Sequence, residues 1–173
     1  MPQIFSTSRA EAVIVRFPPL FYPLVIVTAL AVQAYLPVVV HAAVYLDLPL
    51  LVVIYYGCTV RRPIPASLLG AVLGLAQDSL AHLALGVNGI AKTLIGYAGA
   101  SFGAKMDAEH SGIRVIAVFV GYLASRGILY SFERFLLGTP VPWQVEATLL
   151  AAGVNALLAL ALFRVLDRFR RWI

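Results

Sequence analysis

Two charges, Asp78 and Lys92, stand in an apolar stretch of the chain, and each ends a row of glycines at helical spacing. Gly70, Gly74 and Asp78 run at i, i+4, i+8; Lys92, Gly96, Gly99 and Gly103 run at i, i+4, i+7, i+11. Each row therefore lies on one face of a helix. Glycines let two backbones approach closely in lipid, and a charge at membrane depth is costly unless it is partnered. The pattern predicts an antiparallel hairpin of two helices meeting along these rows.

The lipid setting follows from composition. Hydrophobic residues make up 61% of the 173 positions and charged residues 12%, against about 25% charged in a soluble domain. The reading is an integral membrane protein, all-α, a single polytopic membrane domain covering residues 1–173. At about 20 residues per span there is room for six transmembrane helices, two tails and short loops. Spans are expected at about 17–36, 46–60, 65–83, 88–104, 113–133 and 145–165, the second of them short. Pro49, the run from Arg61 to Pro65, Gly86 to Gly89 and the Gly138 to Pro142 segment break them. The first tract is read as a retained span: its apolar part exceeds the usual signal-peptide length of about 7–15 residues, and it carries Pro18, Pro19 and Pro23. The one cysteine, Cys58, excludes an intrachain disulfide and suggests no thiol-ligated metal site.

A net charge of +5 could indicate nucleic acid, but the basic residues are scattered at the ends of apolar tracts rather than gathered on one face. Topology accounts for them. With the N-terminus inside, Arg9, Arg16, Arg61, Arg62, Lys105, Arg114, Arg164, Arg168, Arg170 and Arg171 fall on the cytoplasmic side and Arg134 alone falls outside, while Lys92 and Arg126 lie within spans. That bias predicts both termini in the cytoplasm. The basic tail, residues 164 to 172, is placed against the anionic lipids of the inner surface.

Depth places the hairpin charges together. Asp78 lies roughly 20 Å along an outward third span and Lys92 about 6 Å below the outer end of an inward fourth, at 1.5 Å per residue. Arg126 reaches a comparable depth in the fifth span and competes with Lys92 as partner, and His82, one turn after Asp78, is placed to cap it. Two readings of Asp78 stand: a substrate, ion or proton site, or half of an interhelical salt bridge. Because Asp78 and Glu133 can be balanced by Lys92 and Arg126, the charge count favours the salt bridge. The glycine rows read as packing faces, since neither follows a strand in a phosphate-binding loop.

Enzyme signatures are missing. There is no H-E-x-x-H or G-x-S-x-G, and His41, His82 and His110 are isolated from one another and from the cysteine. No catalytic residue, metal or cofactor is expected. Glu133, Arg134 and Glu146 read as rim groups; Tyr35, Tyr45, Tyr97, Tyr122 and Trp143 read as interfacial anchors or packing. Partner contacts, for which no residue can be assigned, fall most naturally on residues 37 to 49 and on exposed faces of the first two spans.

One stretch carries a family resemblance. Ala66-Ser67-Leu68-Leu69-Gly70-Ala71-Val72-Leu73-Gly74-Leu75-Ala76-Gln77-Asp78-Ser79-Leu80, then Leu85-Gly86, then Lys92-Thr93-Leu94-Ile95-Gly96-Tyr97, resembles the rod shape-determining membrane protein MreD. The preceding Leu46-Asp47-Leu48-Pro49-Leu50-Leu51 is similar to that family's Pro-Asp segment, with the proline here after the aspartate. The resemblance covers about residues 46 to 104. It implies a non-catalytic subunit of the bacterial cell-elongation complex in the inner membrane, binding the bitopic protein MreC. It further implies a role in coupling MreB filaments to peptidoglycan synthesis by RodA and a penicillin-binding transpeptidase. It also implies a fold similar to the substrate-binding subunits of energy-coupling-factor transporters, which leaves a second expectation, a vitamin-like small-molecule binding subunit of a transporter.

Overall fold

The computed structural model describes residues 15–16, 21–81, 84–106, 110–136, 138, 142, 144–169 and 171–172. Six α-helices follow one another: α1 (Phe21–Val39), α2 (Leu48–Val60), α3 (Pro63–Leu80), α4 (Val87–Lys105), α5 (Ser111–Phe135) and α6 (Val145–Asp167). A short 3-10 helix, His41–Tyr45, joins α1 to α2. Val15–Arg16 (β1) and Arg171–Trp172 (β2) pair antiparallel, so the two ends of the described chain meet beside the start of α1 and the end of α6. All six expected spans coincide with a helix to within a few residues.

Among the described residues, four segments are long and apolar enough to cross a membrane: Phe21–Val39, Ala43–Val60, Ser111–Phe135 and Val145–Asp167. The chain is an all-helical membrane protein by this measure. The two remaining helices, α3 and α4, are the glycine-rich pair, and they pack on each other more extensively than any other two elements.

The second span sits at the centre of the bundle. α2 packs against α4 first, then α3, α1 and α5, and buries Pro49 through Ile54 together with Tyr55, Gly57, Cys58 and Thr59. This corrects the expectation that the first two spans share a partner-facing surface: α2 is enclosed by its neighbours, whereas α1 buries only Ala29. Hydropathy could not separate them, because both are apolar on every side and the difference lies in what surrounds them.

α2 is also too short to cross alone. Its 13 residues rise about 20 Å, against a hydrocarbon core of about 30 Å. The 3-10 segment and residues 46–47 supply the rest, bringing non-helical backbone into the bundle. Such backbone is tolerated at membrane depth only where protein groups satisfy it, and that requirement explains most of the polar residues described next.

Candidate functional site

Asp78 is fully buried near the end of α3 and faces the start of α4. Its carboxylate accepts from the backbone N–H groups of Gly86 (2.9 Å), Asn88 (3.1 Å) and Gly89 (3.3 Å) and from the Asn88 side-chain amide (2.8 Å). Gly86, at φ 99°, makes the left-handed turn that aims these donors at one point, and having no side chain it cannot cap α4 itself. A carboxylate on the preceding helix therefore does the work of an N-cap, matching the orphan donors and the positive end of the α4 dipole. Asp78 is charge-stabilised without a cation: it pairs with neither Lys92 nor Arg126. His82 lies outside the described residues.

Lys92 is fully buried one turn below Asn88 and turns to a different acid. Its Nζ donates to Asp47 Oδ2 at 2.8 Å and to Asn88 Oδ1 at 3.1 Å. Asn88 thus gives its NH2 to Asp78 and its carbonyl to Lys92, the one amide orientation that suits an anion on one side and a cation on the other. Asp47 in turn caps α2, its Oδ1 accepting from Leu50 N–H at 3.1 Å, with Pro49 in the first turn.

Asp47 stands on the non-helical segment, and the surrounding helices satisfy that segment's backbone. Asn155, fully buried in α6, accepts from Asp47 N–H (3.0 Å) and donates to the carbonyls of Tyr45 and Ala151 (2.8 Å each). Tyr122 of α5 donates its hydroxyl to Tyr45 O at 3.1 Å. From α1, Gln33 donates to Leu46 O (3.0 Å) and accepts from Leu48 N–H (2.9 Å). One network therefore joins all six helices through Gln33, Asp47, Asp78, Asn88, Lys92, Tyr122 and Asn155.

The glycine rows set the distances. A Cβ on Gly70 would collide with the Lys92 carbonyl, on Gly74 with the Asn88 carbonyl and on Gly96 with the Ala66 carbonyl, so these three hold α3 against α4. Gly103 faces the other way, its Cβ position 2.6 Å from Cys58 O on α2, while Gly99 has room, with Ile54 at 3.9 Å. Gly57 of α2, where a Cβ would lie 3.0 Å from Ala100 N, completes the α2–α4 contact. The α4 row thus serves two neighbours, wedging α4 between α2 and α3.

Arg126 is exposed on α5 and makes no ion pair with the buried network among the described residues, although it borders a cavity with Asp47 and Asn88. It shares a helical stripe with Tyr122, Leu129 and Glu133, at the same end of the bundle as the start of α4 and of α6. At the opposite end, Arg114 Nη1 bonds Asp167 Oδ2 at 2.6 Å, Tyr55 donates its hydroxyl to Asp167 Oδ1 at 2.9 Å, and the Arg114 guanidinium lies 5.9 Å from the Tyr55 ring centre. This second knot ties α2, α5 and α6.

Sequence reasoning missed Asp47, Asn155 and Gln33. Asp47 had a usable signal, an acid two residues before a proline that opens an apolar run. Asn155 and Gln33 are single amides inside strongly apolar tracts, where a polar group must find a partner. Among the described residues no three His, Cys, Asp or Glu side chains gather as a metal site would need. Comparisons with protein-family models, with curated proteins and with solved structures return no match.

Proposed function

We propose that the chain is a non-catalytic subunit that acts by binding partner helices in the bacterial inner membrane, as an MreD-like component of the cell-elongation complex. In this reading it spans the membrane six times with both termini cytoplasmic and has the architecture of energy-coupling-factor substrate-binding subunits. It binds an MreC-like bitopic protein and through it helps couple MreB filaments to RodA and a penicillin-binding transpeptidase.

The observation that carries the reading is how the buried charges are used. Asp78 is consumed by the α4 amides and Lys92 by Asp47 and Asn88, so the network holds helices and backbone together and presents no polarised nucleophile or acid–base pair. What the bundle turns outward is apolar: on α1, Leu24, Val27, Tyr35 and Val38 are each more than 60% exposed. The resemblance over residues 46 to 104, which contains Asp47, Asp78 and Lys92, points to the same family role.

The test is copurification in mild detergent with a candidate bitopic partner, combined with single cysteines for crosslinking. Crosslinks are expected from Leu24→Cys, Val27→Cys or Val38→Cys on α1 and not from Val53→Cys on the enclosed α2. Failure to recover any single-span partner would sink the proposal.

A further inference from the structure

α1 leans on α2 and α3 while α6 leans on α5 and α2, so α1 and α6 flank a groove of about 510 Å³ floored by Leu48 and Val52 of α2. Phe21, Val25, Thr28 and Val32, at i, i+4, i+7 and i+11, form one wall, and α6 from Leu162 to Phe169 forms the other. Among the described residues on its walls, Thr28 is the one polar side chain. The volume lies within the range of about 300–1,000 Å³ that takes a small molecule.

The groove is blind at both ends and open to the side. At one end the rings of Phe21 and Phe169 stand 5.7 Å apart. At the other, Gln33 ties α1 to the entry of α2 through Leu46 O and Leu48 N–H. Leu24 and Val165, 66% and 52% exposed, mark the open rim. From Phe21 to Val32 the wall rises about 16 Å, the depth of one leaflet, which is half of a hydrocarbon core of about 30 Å. A transmembrane helix needs a seam through both leaflets, and this one stops halfway. An acyl chain needs only one.

Charge at the phenylalanine end selects among lipids. Arg168, next to Phe169, is exposed, and the β1–β2 register sets Arg16 opposite Arg171 at the same end of the bundle. The nearby acid Asp167 is already matched by Arg114 and by the Tyr55 hydroxyl. An apolar slot one leaflet deep with arginines at its headgroup end complements a lipid with an anionic head.

We propose that this groove holds an acyl chain of an anionic phospholipid, phosphatidylglycerol in class, with its phosphate on the arginines beyond Phe21 and Phe169. The site rests on the groove and its charges; only its assignment to the inner leaflet rests on the topology proposed above. Val27 and Val38, on the α1 face assigned to the partner helix, do not line it.

The experiment follows thermal unfolding of the purified full chain in detergent with dioleoyl phosphatidylglycerol, dioleoyl phosphatidylethanolamine or tail-less glycerophosphoglycerol added. Phosphatidylglycerol is expected to raise Tm in a concentration-dependent way, less so at high salt; phosphatidylethanolamine should do so much less and glycerophosphoglycerol not at all. Thr28→Trp fills the groove from an exposed position and should weaken phosphatidylglycerol binding about tenfold or more, the worth of two buried methylenes. Arg168→Gln should weaken it about fivefold. Val72→Trp, on the exposed face of α3, should bind as the unaltered chain does. Equal stabilisation by the two phospholipids, stabilisation by glycerophosphoglycerol, or undiminished binding in Thr28→Trp would overturn the assignment. If Thr28→Trp does not fold, alkylation of Thr28→Cys is measured instead: phosphatidylglycerol, and not phosphatidylethanolamine, should slow it, and an unchanged rate overturns the site. Crosslinking of Thr28→Cys to a second copy or to a partner helix in phosphatidylglycerol would also overturn it, by putting a helix in the groove. Because no partner is present in the lipid titration, its failure leaves the scaffold reading untouched, and failed copurification leaves the lipid site untouched.

Discussion

Lys92 and Asp47, 45 residues apart in sequence, close a 2.8 Å ion pair in the middle of the bundle. The pair joins α4 to the N-cap of α2, and it leaves Asp78 to the amides that begin α4. A half-buried acid, Asp47, and a fully buried one, Asp78, are thereby satisfied by different means, the first by the buried Lys92 and the second by a helix terminus. Asn88 bridges the two, so that the acids share neighbours without sharing a charge partner.

That division predicts a pattern of rescue. Asp47→Asn strands the Lys92 ammonium in the interior and should destabilise the protein by about 3–5 kcal/mol, the usual cost of breaking a buried pair from one side. Adding Lys92→Met should recover a large part of the loss, because the stranded charge is gone. Equilibrium unfolding of the two singles and the double in mixed micelles gives the coupling directly; additive losses would show that the pair is not coupled.

Asp78 should behave differently. Asp78→Ala removes the cap of α4 and leaves buried N–H groups of Gly86, Asn88 and Gly89 without their acceptor, a loss of about 1–3 kcal/mol or more. Lys92→Met should not rescue it, because Lys92 bonds Asp47. Hydrogen exchange should show the effect concentrated at residues 86–90, the first turn of α4. Rescue of Asp78→Ala by Lys92→Met would mean that the two side chains are coupled after all.

Helix number and placement were legible because apolar tracts of membrane length with Pro, Gly and Arg between them leave few alternatives. The α3–α4 contact was legible for the same kind of reason: Gly70, Gly74 and Gly96 fall on facing stripes, and each meets backbone. The pairing of charges was not. Counting opposite charges treats every carboxylate as needing a cation, whereas Asp78 is satisfied by four N–H donors supplied by a turn at Gly86. The partner of Lys92 depended on Asp47 being carried into the bundle by the short α2, which hydropathy reads only as a weak span. Arg126 borders a cavity together with Asp47 and Asn88 yet makes no ion pair with either among the described residues, and whether a side chain closes such a gap cannot be read from its position along the helix.

The glycines can be ranked by what lies opposite them. Gly70→Ala, Gly74→Ala and Gly96→Ala each force a methyl into a carbonyl of a neighbouring helix, which cannot move without parting the pair. Each should lower Tm and expression sharply. Gly99→Ala, facing Ile54 at 3.9 Å, should be neutral or stabilising by about 0.5–1 kcal/mol through helix propensity. Equal losses across all four would show that the rows do not lie at these contacts.

The non-helical entry to α2 offers a last separation of backbone satisfaction from packing. Asn155→Leu keeps the size and adds apolar contact in α6, but among the described residues it removes the side-chain acceptor for Asp47 N–H and one of two donors to Tyr45 O. Tyr45 O keeps the Tyr122 hydroxyl, so the net loss is one orphaned N–H, about 1–3 kcal/mol. Removing Tyr122's hydroxyl as well, with Tyr122→Phe, strips Tyr45 O of both donors, and the double variant should lose more than the sum of the singles. Unfolding free energies in mixed micelles check both steps. Simple additivity would mean that water or lipid reaches Tyr45 O, and that the segment lies nearer the membrane surface than its hydrogen bonding implies.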